Sequence, residues 1–245
     1  DFADHPQDPT AVKKIAVMQP YLFPYIGYWQ LINAVDEFVL LDDVQYIQRG
    51  WINRNRILLA GRDHLFSFSV CKDAQQKKIN QRFFSEEYPA ERAKFLRMLQ
   101  CAYAKAPFFR SAFAVIEQSL AFSTLNVATS VGSNLKILAD YLHIPTSFRY
   151  ASTIDCDKSL KAQDYILALT KQLNADVYLN LSGGKSLYDK DVFLRQKIQL
   201  LFLQTGPLEY KQFDNEFIPF LSIIDVMMFN SPETIKKMLG RYELT

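Results

Sequence analysis

The sequence has few groups suited to metal or disulfide chemistry. Its 245 residues contain 3 cysteines and 3 histidines. Cys71, Cys101 and Cys156 are widely spaced with no CxxC pair, and an odd, sparse count suits a reducing compartment better than a disulfide framework. As small hydrophobes they are expected in the core. His5, His64 and His143 are equally scattered and form no zinc spacing, so no metal site is assigned. With no G-x-S-x-G elbow, Ser-His-Asp catalysis finds little support. No apolar run approaches the roughly 20 residues that span a bilayer. The opening DFADHPQDPT has no charged-then-apolar signal pattern and reads as a leader outside the fold, so the expected location is the cytoplasm. A formal charge of +2 is too small to argue for DNA. Repeats, low-complexity tracts and Pro/Gly/Ser linkers are also missing.

What is present is enough apolar material for a full core: 49% hydrophobic residues against 22% charged ones, which argues against a largely disordered chain. Ile15–Met18 is a short apolar run. Pro20 and Pro24 hold the next stretch out of regular helix, because a proline biases its predecessor away from the α region. Gly27 then opens YWQLINAVD, in which Trp29, Leu31, Ile32 and Val35 approximate a helical stripe. Glu37–Leu41 is a second buried-type strand ending in two carboxylates, Asp42 and Asp43. His64–Val70 alternates like a half-buried strand. Residues from about 85 to 145 are helical, interrupted at Pro107, with Thr129 or Ser130 capping the last helix. Strands follow at Thr146–Ser152, Asp176–Leu181 and Ile198–Leu203, with a helix over Lys158–Asn174. The end of the chain is helical, broken at Asn230-Ser231, with Pro232 in a first turn. This order predicts one α/β domain over 1–245, with an open, mostly parallel, Rossmann-like sheet. Its core comprises about 11–80 and 146–245, and the helical block of about 85–145 is a subdomain or lid.

Ligands of open α/β sheets bind beyond the carboxyl ends of the strands, so polar residues there carry the candidate chemistry. Asp42 or Asp43 suits a general base or a ligand for a substrate ammonium; the plainer reading is a cap and a solvated carboxylate. Neighbours on an extended strand point to opposite faces, which places a shared metal behind either role. The loop QPYLFPYIGY offers Gln19, Tyr21 and Tyr25 as a pocket floor, with Gly27 allowing close backbone approach at a helix start; otherwise it is packing. Ile47–Ile57 is a donor-rich segment, with Trp51 as a stacking face and Asn53, Arg54 and Asn55 as hydrogen-bond donors, unless it is merely a polar turn. Ser182-Gly183-Gly184-Lys185-Ser186 is not a P-loop, since Leu179 stands where that motif needs glycine; it remains a glycine turn able to meet an anion. Asp225, in an apolar run, is expected to anchor its helix, through Arg54 or Asn53.

The stretch MQPYLFPYIGYWQLINAVDEFVLLDDVQYIQRGWINRNRI resembles the WbqC-like family of O-antigen and surface-polysaccharide gene clusters. The resemblance continues through YLNLSGG, LYD and FLSIIDVMMFN. It implies an acyl transferase, with an aminoacyl group such as glycyl, acting on a nucleotide-linked amino sugar. By the same resemblance, Asp42 and Asp43 are the catalytic candidates. Gln19, Tyr21, Tyr25, Gly27, Tyr28, Trp51, Asn53, Arg54, Asn55, Ser182, Gly183 and Gly184 are the substrate-binding ones. QPYLFPYIGYWQLI is also similar in layout to the phosphate loop of HIGH-type nucleotidyltransferases such as pantothenate synthetases, which implies a nucleotidyltransferase-like fold. There Tyr25 and Tyr28 stand for the two histidines of H-x-G-H, a departure that weighs against adenylyl transfer. No cofactor is firmly implied; an acyl-carrier thioester or ATP is the candidate co-substrate, and acyl carrier protein the candidate partner. An adenylating enzyme and a non-catalytic sugar-nucleotide or carrier-protein binding subunit are the alternatives. The sequence leaves oligomeric state open.

Overall fold

Apolar runs too short for helices become strands, and six strands join in one sheet. The computed structural model describes residues 12–214 and 216–245; the leader at 1–10 lies outside them. β1 (Lys14–Met18) leads through α1 (Ile26–Asn33) to β2 (Glu37–Leu40), followed by a hairpin of β3 (Arg54–Leu59) and β4 (Arg62–Ser67). Three helices come next: α2 (Tyr88–Tyr103), α3 (Phe109–Ser119) and α4 (Val127–Tyr141). The chain then returns to alternation with β5 (Ser147–Tyr150), α5 (Ala162–Gln172), β6 (Val177–Leu181), α6 (Lys190–Arg195) and β7 (Gln199–Thr205). It closes with α7 (Ile223–Phe229), α8 (Pro232–Leu239) and β8 (Tyr242–Leu244).

The main sheet runs β5-β2-β1-β6-β7-β8, parallel throughout except for the β7–β8 pair, and β3–β4 form a separate ribbon. This is the mixed α/β, Rossmann-like open sheet expected. The chain starts at the centre, builds outward through β2 and β5, then returns to build the other side from β6. The order therefore reverses between β1 and β6, where such sheets open a crevice at their carboxyl ends.

Both faces of the sheet are covered, as parallel strands require. Along β1, Ala16 joins one buried cluster while Ile15 and Val17 join the other. The first cluster continues from Phe38 and Leu40 into Leu99, Ile116 and Leu135 of the helical block; the second is closed by Tyr165, Leu169 and Phe193 of α5 and α6. Among the described residues no helix is long and apolar enough to cross a membrane.

Several expectations need correction. Arg54–Ile57 is strand rather than loop, because Ile57 and Leu58 are buried while Arg56 faces out. α4 is capped by Asn126, whose side chain accepts from Thr129 N at 3.1 Å, so the helix starts earlier than Thr129 or Ser130 suggested. Cys71 and Cys101 are exposed and Cys156 half-buried, not core; Cys101 falls on the outer face of α2. α6 and β8 carry too little periodicity to be read from sequence.

Asp225 is fully buried, and its partners are not Arg54 or Asn53. It accepts from Tyr103 Oη at 2.8 Å, Tyr210 Oη at 2.7 Å and Gln212 Nε2 at 2.7 Å, while Tyr103 Oη accepts from Leu58 N at 2.7 Å. The carboxylate thus joins α7, α2, the β3 strand and the segment before α7. Burial raises its pKa above the ordinary 3.8, and the three donors pull it partly back. A raised folded pKa means that stability from this group falls as pH climbs from the unfolded value through the folded one. Asp225→Asn removes that ionisation, so in urea unfolding the variant is expected to fare worst relative to the parent at acid pH, with the gap narrowing as pH rises. Asp225→Ala orphans three buried donors and is expected to cost at least about 3 kcal/mol in the same measurement.

Candidate active site

The parallel strands end on one edge, and β2 is the first to carry a carboxylate there. Asp42 is buried but lines a cleft of about 270 Å³. Its Oδ1 accepts from Ser152 N at 2.9 Å; its Oδ2 accepts from Ser152 Oγ at 2.6 Å and Asn80 Nδ2 at 3.2 Å. The Asp42 carbonyl accepts from Asn80 N at 2.9 Å. One residue therefore ties the end of β2 to the turn after β5 and to the connector before α2. Three donors fix the plane of its carboxylate, the preorganisation expected of a group that must meet a substrate in one orientation.

The opposite wall is formed by Asn126 and Thr129 at the start of α4, with Tyr150 and Thr153 completing the lining. Tyr150 ends β5 with its hydroxyl against Gly132 of α4. A Cβ at Gly132 would lie 2.2 Å from that oxygen and 3.1 Å from Leu40 Cδ1, so glycine is what lets α4 approach the sheet here. Burial raises the Tyr150 phenol above its ordinary value, with the Asp42 charge adding to the effect. Tyr150 lines the Asp42 cleft and stays protonated at neutral pH.

Asp43 takes the other side, as adjacent strand residues do. Its Oδ2 accepts from Tyr165 Oη at 2.5 Å and pairs with Lys158 Nζ at 3.2 Å; Lys158 Nζ also donates to Ala151 O at 2.6 Å. Oδ1 is buried without a partner among the described residues. The two carboxylates thus have separate partner sets, and among the described residues no group of three or more His, Cys, Asp and Glu is placed to hold a metal. Asp42 faces the cleft; Asp43 locks α5 against the sheet.

The aromatic loop is held from several sides. Phe23 adopts a left-handed backbone (φ 47°), and its carbonyl accepts from Ser222 Oγ at 2.8 Å and Asn55 Nδ2 at 2.9 Å. Asn55 also reaches Leu22 O, so it pins the loop to the ribbon. Tyr28 is fully buried and donates to Gln19 O at 2.7 Å. A Cβ on Gly27 would meet the Tyr25 ring at 2.4 Å and Thr205 Oγ1 at 2.6 Å, so the close approach at this helix start is to protein. Gln19, Tyr21 and Tyr25, which follow β1, stay partly accessible. Ser182, Gly183 and Gly184 begin a short 3₁₀ turn directly after β6, with Gly184 against Asn180 and Lys185 over the Phe202 ring. Trp51 and Asn53 come just before the ribbon and Arg54 begins it; the Trp51 carbonyl accepts from Leu22 N at 3.3 Å, which ties this segment to the aromatic loop. Asn80, Asn126, Tyr150 and Ser152 were not legible as a set, because they come from three separate segments; only the position of Tyr150 and Ser152 at the end of a strand was a signal.

The WbqC-like protein family model matches residues 19–237. An uncharacterised protein of Mycobacterium tuberculosis, Rv1507c, is 30% identical over 227 residues, which cover 89% of this chain and 94% of that protein. No solved structure matches.

Gly132→Ala is expected to drive the Tyr150 hydroxyl from its seat at a cost of about 1–3 kcal/mol, measured as a shift of the urea midpoint with unchanged m-value. A midpoint equal to the parent's would mean that Tyr150 gives way freely.

Proposed function

The chain belongs to the WbqC-like family, and from that premise we propose that it transfers an acyl group, aminoacyl in the first instance, to the amine of a nucleotide-linked amino sugar in surface-polysaccharide synthesis. The observation that carries this reading is Asp42: a carboxylate at a strand end, fixed by three donors, lining a cleft of about 270 Å³ beside a protonated phenol. An activated donor such as a carrier thioester needs alignment, a base and an oxyanion donor rather than an enzyme nucleophile.

In the proposed step the acceptor amine attacks the donor's carbonyl carbon. The C–N bond forms and the C–S bond breaks; the carrier leaves as a thiol. Asp42 orients the acceptor's ammonium and takes one proton from it, which leaves to solvent and frees the amine to attack; the proton lost from nitrogen as the C–N bond forms passes to the departing thiolate through solvent. Tyr150 donates to the carbonyl oxygen as it gains charge. Gln19, Tyr21 and Tyr25, with Ser182 and Gly183, would hold the nucleoside beyond the ends of β1 and β6, where sheets of this order take ligands. The adenylating alternative is disfavoured by Tyr28, whose side chain is fully buried where that motif needs a histidine on phosphate.

The test is mass spectrometry of UDP- and dTDP-amino sugars incubated with the enzyme and acyl or aminoacyl thioesters. The expected product is acceptor plus one acyl group, with kcat/KM about 10²-fold or more lower in Asp42→Asn. ATP-dependent adenylate formation, or an Asp42→Asn variant of parental activity, would refute the reading.

A further inference from the structure

A second cleft, of about 290 Å³, lies on the other side of the segments 42–46 and 77–82 from the Asp42 cleft. Asp42 and Asn80 line one; Tyr46 and Arg82 line the other. Its charged lining is Arg49, Arg54, Lys72 and Arg82, with no carboxylate. Four cations facing one space repel each other unless something compensates them, and among the described residues none of the four has an ion pair within 4 Å. Asp73 is committed to Lys77 at 2.7 Å, and the Arg82 charge is the smallest of the influences that lower its pKa.

Arg82 makes this more than a basic surface. It is 96% buried, from a relative exposure of 4%. Among the described residues its Nη atoms donate only to the Ala74 and Cys71 carbonyls, at 3.3 and 3.2 Å, and its Nε has no partner; its guanidinium lies 4.9 Å from the Tyr46 ring centre. A buried arginine without a counter-charge is expensive, and proteins keep one where a ligand supplies the charge. Hydrogen bonds fix Asn53 and Arg54 in the wall. Asn53 is fixed by Tyr46 Oη at 3.0 Å and by Phe68 O at 2.7 Å, and Arg54 is held by Gly50 O at 2.8 Å and by Arg49 O. Arg49 carries the turn in a left-handed backbone (φ 60°), an unusual state for a long side chain. The Tyr46 phenol senses the same field: burial raises its pKa while Arg82 and Arg54 lower it.

We infer that this cleft is a binding site for a phosphate or diphosphate group, with Arg82 as its buried counter-charge and Arg49, Arg54 and Lys72 as its rim. Arginine forks match phosphoryl oxygens, and a diphosphate supplies the several charges that four cations need. A nucleoside diphosphate and the diphosphate of coenzyme A present the same chemistry. The inference stands on the cleft alone and does not depend on acyl transfer.

The test is calorimetric titration of the full chain with inorganic diphosphate, UDP and coenzyme A, beside thermal melts in chloride of matched ionic strength. Trp51 gives a second readout: it is partly exposed with Arg54 5.6 Å and Arg56 5.7 Å from its ring centre, whereas Trp29 is fully buried. Diphosphate is expected to bind at one site, to raise the melting temperature above the chloride control and to change Trp51 emission. Affinity should fall about tenfold or more in Arg54→Ala and in the rim double variant Arg49→Ala/Lys72→Ala. That double variant removes no hydrogen bond made by either side chain, so it serves if Arg82→Met fails to fold. Tighter binding of UDP than of coenzyme A assigns the group to a nucleotide substrate, and the reverse assigns it to a thioester donor. No binding at millimolar diphosphate, undiminished binding in the rim variant, or binding of RNA with none of the three small molecules would overturn the inference.

Discussion

A parallel sheet covered on both faces leaves its polar chemistry one place to go. Ile15, Val17, Val39 and Leu179 have no surface to spare, so a charge within the strands would be stranded between two apolar layers. Glu37 is the exception that shows the rule: it sits at the start of β2, where Lys13 at 3.0 Å and Arg149 at 2.5 Å can reach it from the edge. At the opposite edge the first carboxylates are Asp42 and Asp43, and each must find donors at once. Asp42 finds Ser152 and Asn80; Asp43 finds Tyr165 and Lys158. The bonds that satisfy them fasten the carboxyl edge of the sheet to its surroundings.

The helical block follows from the same requirement. α4 closes over β2 and β5 only because Gly132 lets the Tyr150 hydroxyl in, and Asn126 caps that helix while its amide reaches Asn80 O at 2.8 Å. The start of α4, the connector at Asn80 and the strand ends thus form one hydrogen-bonded rim. Behind it, Asp225 gathers Tyr103, Tyr210 and Gln212, binding α7 to α2. Cleft and scaffold are joined through side chains rather than through a shared sheet.

Much of the fold was readable because parallel strands are apolar throughout: Ile15–Met18, Glu37–Leu41 and Asp176–Leu181 announce themselves, and the proline breaks at Pro107 and Pro232 punctuate the helices. Asp42 was readable for the same reason, as the first polar residue after such a run. The aromatic loop was harder, since sequence cannot tell a tyrosine that lines a pocket from one that holds a loop. Tyr28 is buried and Gly27 is packed against Tyr25 and Thr205, while Tyr21 keeps some surface. Asn55 looked like a recognition donor and turns out to pin Leu22 and Phe23. Arg82 carried no signal, because a lone arginine in a polar connector gives no hint that its side chain will be buried. The partners of Asp42 were hidden because Asn80 and Ser152 are 38 and 110 positions from it in sequence.

The account turns on whether the Asp42 cleft receives the acceptor sugar. Hydrogen–deuterium exchange, with and without a nucleotide-linked amino sugar, tests that most directly, because the Ser152 and Asn80 amides bond to Asp42 itself. The account predicts slowed exchange at 42–44, 79–81 and 151–153 together, diminished in Asp42→Asn. Slowed exchange confined to other segments, with these three unchanged in a saturated complex, would contradict it.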